Sequence, residues 1–227
     1  MFERYAVYFT ASGEFAQRGA AWLGWDVATG CAVAQPDLPS LDLPELTEKP
    51  RKYGFHATIK PPFVLTDGMT QAALETRLKN VCAQLNGVML KELEVVALGR
   101  FLALVPQGET TALTSLAGDV VALLDTFRAP MSEEEFERRN QSHLSGAQFE
   151  NLCKWGYPHV MDQFRFHMTL TGRISKPDLA SVQTAVKDHF ATHIQTPTNI
   201  DSLTLVGQGA DGYFVEIARF PLGVAGL

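Results

Sequence analysis

Apolar and polar residues alternate most cleanly along two short stretches of this chain, and both stretches carry the same polar pair. From Phe164 to Thr171, the residues Phe164, Phe166, Met168 and Leu170 fall on one side of an extended strand. Arg165, His167, Thr169 and Thr171 fall on the other. From Phe55 to Lys60, the residues Phe55, Ala57 and Ile59 share one side, while His56, Thr58 and Lys60 share the opposite one. Each stretch predicts a strand with a buried apolar face and a second face that presents a His, a Thr two residues on, and a cation.

Similar elements surround each of these strands. Tyr5 to Thr10, rich in aromatic and β-branched residues, reads as a buried strand. Glu14 to Trp25 reads as a helix, and the proline-rich residues 36–50 read as a loop. Thr70 caps a helix running to about Asn86, with Leu74, Leu78, Val81, Cys82 and Leu85 on one face. Leu90 to Leu98 and Phe101 to Val105 read as strands joined at Gly99-Arg100. A helix over Thr111 to Phe127, the second His strand, a helix opened by Pro177 and running to His193, and a hairpin over Asn199–Gly207 and Tyr213–Arg219 complete the chain. An insert over residues 129–162 carries one helical stretch from Ser132 to Lys154.

The order strand, helix, His strand, helix, hairpin therefore occurs twice. The expected fold is α+β, a single bilobal domain over residues 1–227. Its repeats, 1–98 and 99–227, supply mainly antiparallel sheets that face a central cleft where the two His strands meet.

With 46% apolar and 19% charged residues over 227 positions, the chain has an ordinary globular composition and enough length for a sizeable core. A formal charge of -6 argues against a protein that coats long nucleic acid, yet leaves room for a local cationic cleft. Three widely spaced cysteines without a Cys-x-x-Cys pair suit a reducing compartment and form neither a disulfide framework nor a zinc knuckle. No apolar run reaches the roughly 18 to 20 residues of a membrane span, and the first residues lack the apolar core of a secretion signal. The expectation is a soluble, cytoplasmic protein with no membrane partner.

A single His-x-Thr is a weak signal. Two copies in the same slot of two repeats are a strong one, because apolar strands have no packing reason to expose the same polar pair twice. Two imidazoles can divide general-base and general-acid duties, and His56 and His167 are the catalytic candidates. The hydroxyls of Thr58 and Thr169 donate hydrogen bonds suited to phosphoryl oxygens. Lys60 and Arg165 would offset charge developing in the transition state, and Thr171 lies on the same face. No His-x-x-x-His pair or acidic cluster accompanies them, so neither a metal nor another cofactor is expected.

Paired His-x-Thr motifs on a duplicated α+β framework resemble the two-histidine phosphoesterase superfamily, which includes RNA ligase/2′-5′ cyclic phosphodiesterase-type enzymes and cyclic nucleotide phosphodiesterases. The resemblance spans nearly the whole chain. More narrowly, Trp22-Leu23-Gly24, Tyr53-Gly54-Phe55-His56-Ala57-Thr58, Phe127-Arg128-Ala129-Pro130, Arg138-Arg139, Trp155-Gly156-Tyr157-Pro158 and Phe164-Arg165-Phe166-His167 are similar to a bacterial subfamily associated with phosphonate metabolism. His159 departs from that subfamily, which has an aromatic Tyr there.

The resemblance implies a metal-independent cyclic phosphodiesterase with His56, Thr58, His167 and Thr169 in its cleft. Its substrate would be a small cyclic phosphodiester: a 2′,3′-cyclic nucleotide, an RNA end or a phosphoribosyl cyclic phosphate. It also marks Arg128 and Arg139 as substrate contacts, although Arg128, Arg138 and Arg139 around Glu133–Glu135 otherwise read as surface salt bridges. Tyr157 reads either as a packed corner before Pro158 or as a stacking surface for a base or ribose. Tyr5 and Tyr8 face opposite sides of their strand, so at most one looks into the cleft. Gly207-Gln208-Gly209 reads as a hairpin turn and not a phosphate loop, since no helix follows. Two alternatives stay open: a nucleotide or RNA-end binding module without turnover, and a 2′-5′ RNA ligase. Which histidine is base and which acid is open too.

Overall fold

The computed structural model describes residues 2–140 and 142–223. In chain order its elements are β1 (Arg4–Thr10), α1 (Gly13–Leu23), β2 (Trp25–Asp26), β3 (Cys31–Ala32), α2 (Leu43–Arg51), β4 (His56–Phe63), α3 (Gln71–Cys82), β5 (Val88–Leu90) and β6 (Leu93–Leu98). Then follow β7 (Phe101–Pro106), α4 (Thr111–Leu123), α5 (Glu133–Arg139), α6 (Gly146–Trp155), β8 (Met168–Thr169), α7 (Leu179–Ile194), β9 (Thr198–Ile200), β10 (Ser202–Gln208) and β11 (Phe214–Pro221). Seven strands form one sheet in the order β11-β10-β1-β4-β8-β7-β6, with every neighbouring pair antiparallel.

The two His strands are adjacent at the centre of this sheet, joined through the pair Ala57 and Met168. Strands from distant parts of the chain are neighbours: β6 pairs with β7, while β10 and β11 extend the sheet beyond β1. The apolar side of both His strands packs under the helices, in a core that unites Val7, Phe9, Phe55, Ile59, Met168 and Leu170 with Leu78, Val120 and Phe190. Each such side chain contributes about 1.5–3 kcal/mol when fully buried. On the opposite face a smaller cluster of Ala6, Tyr8, Val27, Val206 and Phe214 leaves space for the cleft.

Several local expectations are revised. Residues 36–50 are not all loop, because α2 forms there: Asp42 caps it by accepting from the Glu45 amide, and Pro44 sits in the first turn where no amide is needed. Pro50, near its end, has no N–H to offer the Leu46 carbonyl, which accepts from Gly172 instead at 2.6 Å. The single helix expected over Ser132 to Lys154 is two helices, capped separately by Ser132 and by a Ser145/Gln148 capping box. The second His strand keeps its alternation of burial from Phe164 to Leu170 but pairs in the sheet only over Met168–Thr169. Side chains intervene beyond that point, with the Trp22 indole donating to the Leu170 carbonyl and Thr171 Oγ1 accepting from the Leu102 amide.

Lys60 does not share the face of His56 and Thr58. The register between β1 and β4 shifts after the pair Tyr8–Thr58, so that Val7 pairs with Lys60. Such a bulge turns the next side chain to the other face of the sheet. Lys60 is consequently 2% exposed beneath α4, donating to the Val121 carbonyl at 3.1 Å and pairing with Asp125 at 3.5 Å. Burial lowers its ammonium to about 8, opposed by Asp125. Replacing Asp125 by Ala leaves this cation without its counter-charge. The expected result is a loss on the order of 2 kcal/mol in denaturant unfolding; an unchanged midpoint would show that the pair does not matter to stability.

Candidate active site

A cleft of about 780 Å³ opens on the sheet face opposite the main core, lined by His56, Thr58, Thr169 and Thr171 from the two His strands. The antiparallel register that pairs Ala57 with Met168 sets Thr58 opposite His167 and His56 opposite Thr169. Each histidine therefore stands across from the threonine of the other motif.

Both imidazoles are held in the same way. His56 Nδ1 lies 2.9 Å from the Gly54 carbonyl, and His167 Nδ1 lies 2.8 Å from the Arg165 carbonyl. A carbonyl only accepts, so each Nδ1 carries the proton and each Nε2 is left for chemistry. His56 Nε2 is 3.1 Å from Thr58 Oγ1. Gly54 holds its carbonyl in place with φ +71°, and a Cβ there would come within 2.8 Å of Val27 Cβ. The position needs glycine on both counts.

The surroundings of the two rings differ. His56 is buried and stacks on Tyr8 with ring centroids 3.7 Å apart, whereas His167 is half-buried with its ring tilted against Phe101 at 6.3 Å. Burial pulls His56 down to about 4; the Gly54 carbonyl works against the fall, and neighbouring His167 adds to it. Tyr8 is fully buried, lines the cleft, and its hydroxyl has no hydrogen-bond partner among the described residues. Of the two strand tyrosines, Tyr8 is the one that faces the cleft, while Tyr5 belongs to the main core.

The other expected contacts divide. Arg139 and Tyr157 line the cleft, the guanidinium lying 5.4 Å from the centre of the Tyr157 ring and pairing with Glu135 at 2.5 Å. Thr171 lines it as well, but its hydroxyl serves the backbone, accepting from Leu102 N and donating to Gly172 O, each at 2.9 Å. Lys60, as described, lies under α4. Arg128 is not in the cleft: it makes a bidentate pair with Asp125 at 2.8 and 3.0 Å, sharing that carboxylate with Lys60. Arg165 turns its guanidinium to the carbonyls of Asp162 and Phe164, so its backbone and not its side chain serves the site. Sequence reasoning missed Arg4, Lys49, Tyr53, Arg100 and Arg173, all of which line the cleft. Arg173 had a signal, since it continues the polar alternation of His167, Thr169 and Thr171.

Among the described residues no three His, Cys, Asp or Glu side chains are grouped to hold a metal ion, and no helix is long and apolar enough to cross a membrane.

Residues 58–215 match the family model described as "Protein of unknown function (DUF1045)". The chain belongs to this family. It is 36% identical over 98% of its length to a Janthinobacterium sp. (strain Marseille) protein named ribose 1,5-bisphosphate phosphokinase PhnN. A Laribacter hongkongensis protein of the same name is 29% identical over 95% of the chain. The chain spans about half the length of these curated relatives, 51% in both cases. Among solved structures, one described as a phosphoesterase aligns with a TM-score of 0.47 at 12% identity, covering 98% of this chain and 99% of that one. E. coli LigT complexed with 3'-AMP aligns at 0.46 and 11%, covering 99% of this chain and 100% of that one.

The lowered pKa of His56 carries a stability signature of this DUF1045 member. The unfolded chain binds a proton at the ordinary 6.5 and the folded one only at about 4, so stability is complete above 6.5 and falls as pH drops towards 4. Thermal melts from pH 7 to 4 should show that decline, and His56→Asn should flatten it. An equal slope in the variant would place the titrating group elsewhere. Gly54→Ala, which forces a Cβ against Val27, is expected to lower the melting temperature.

Proposed function

We propose that this protein is a metal-independent phosphoesterase that opens a small cyclic phosphodiester by two-histidine general acid-base catalysis. The observation that carries the reading is the pair of imidazoles on adjacent strands, each tied at Nδ1 to a carbonyl two residues upstream. A 2′,3′-cyclic nucleotide, an RNA end or a phosphoribosyl cyclic phosphate has the ring phosphate this site would accept.

On this reading, burial supports one assignment of the two roles. His56, kept neutral over the physiological range, is the base, and the more open His167 is the acid. His56 Nε2 takes a proton from water, whose oxygen attacks phosphorus. Thr58 and Thr169 donate to the non-bridging oxygens as charge gathers there. The bond from phosphorus to one ring oxygen breaks, and His167 Nε2 gives that oxygen a proton. The products are a phosphomonoester and a free hydroxyl; no oxidant or metal takes part. Tyr8, stacked on the His56 ring, fixes its plane. The phosphokinase activity in the name of the relatives would need a phosphate loop. Here Gly207-Gln208-Gly209 leads from β10 through a turn into the strand β11 and not into a helix, and the chain spans about half the length of the relatives that carry that name.

Hydrolysis of a panel of cyclic phosphates in EDTA is the direct test, and no turnover across it would sink the proposal. His56→Ala and His167→Ala are each expected to lower kcat by about 10²- to 10⁴-fold, and the double variant by less than the product of the two. In wild type the acid limb of the kcat/KM profile should lie well below the ordinary histidine range and disappear in His56→Ala. A correctly folded His variant with near-wild-type kcat would exclude the mechanism.

A further inference from the structure

The cleft is lined by five cationic side chains besides the histidine, Arg4, Lys49, Arg100, Arg139 and Arg173, and by no Asp or Glu. In a chain of net charge -6 this is a local concentration of opposite sign. The five belong to two groups. Arg4, on β1, donates its Nε to Gln208 at 2.6 Å, and Arg139, on α5, pairs with Glu135.

Lys49, Arg100 and Arg173 come from three segments bound to one another. The Gly172 amide donates to Leu46 of α2, and the Ile174 amide donates to the Arg100 carbonyl at 2.7 Å, so α2, the start of β7 and residues 172–174 form one wall. Arg100 Nε donates to the Ile174 carbonyl at 3.1 Å. Lys49 and Arg173 make no ion pair within 4.0 Å among the described residues. Lys49 and Arg173 also line an adjoining groove shared with Asp42, Glu45, Glu48 and Asp178, but none of these carboxylates lines the cleft. At about 780 Å³ the cleft also exceeds what one cyclic phosphate fills.

We propose that Lys49, Arg100 and Arg173 form a second anion subsite, and that the substrate carries, besides the cyclic phosphodiester at the two histidines, a separate terminal phosphate seated on this wall. The inference rests on the phosphoesterase reading for what occupies the histidine end. A phosphate monoester near neutral pH carries close to two negative charges, and guanidinium groups match its oxygens in bidentate fashion. A cation cluster with no carboxylate in its cleft is what such a group requires. A neutral nucleoside or sugar tail would gain nothing from it.

The test is calorimetric binding of adenosine 2′-monophosphate and adenosine 2′,5′-bisphosphate to the intact protein at fixed ionic strength. The bisphosphate should bind at least about tenfold more tightly, by about 1.4 kcal/mol. Arg173→Gln and Lys49→Gln, both at exposed positions, should each shrink that ratio, with Arg173→Lys restoring part of it. Lys187→Gln, at an exposed position on α7, should leave it intact as a control for charge loss. A wild-type ratio within twofold, no measurable binding of the bisphosphate, or a ratio untouched by both substitutions overturns the subsite. Turnover of cyclic phosphates is measured separately. Hydrolysis with a flat ratio removes the subsite alone, and a steep ratio without hydrolysis removes the reaction alone.

Discussion

The contact on which the structure depends is the antiparallel pairing of β4 with β8. It is short, the single residue pair Ala57 and Met168, yet it joins the two halves of the seven-stranded sheet. Ala57 and Met168 lie in the core, and their neighbours His56, Thr58 and Thr169 line the cleft on the other face, while His167, half-buried beside Phe101, is not among the residues that line it. A slip of one residue in this register would turn the polar set of one strand into the helical layer, where burial without partners is costly. The register of the core and the register of the cleft are one constraint.

Around that pair the two repeats are related in chemistry but not in setting. Both imidazoles are oriented by the same local device, a carbonyl two residues upstream. The difference comes from what lies above them. The first is roofed by the Tyr8 ring and buried, while the second leans on Phe101 and stays half-open. Packing makes the two settings unequal: burial under Tyr8 lowers the pKa of His56, while His167 stays half-buried.

Much of this was legible in the sequence because strand alternation has period 2 and both motif strands keep it through their histidines and threonines. Legibility ended where the backbone leaves regular geometry. The bulge after Thr58 put Lys60 beneath α4, and only the following Pro61-Pro62 hinted at a break. Prolines made α2 look like loop, although one occupies a first turn and the other a last turn. Arg128 and Arg165 carried the right charge for a phosphate site, but nearer acceptors claimed them. The wall of Lys49, Arg100 and Arg173 has no sequence signature as a group, since it exists only once three distant segments meet.

The carbonyl that Pro50 leaves free has a consequence for how the chain is assembled. Leu46 finds its donor at Gly172, in the other repeat, and an added Cβ at 172 would lie only 3.2 Å from that oxygen. The first repeat therefore cannot close its own accounts of hydrogen bonding while the ribosome is still making the second. The same holds for β1, whose outer neighbour β10 follows it by almost 200 residues of chain, from Thr10 to Ser202. Contacts of such long sequence separation form late and carry a loop-closure cost. Severed between residues 98 and 99, the halves would be expected to meet as obligate complements and not as two small proteins, each lacking the strands that edge its own sheet.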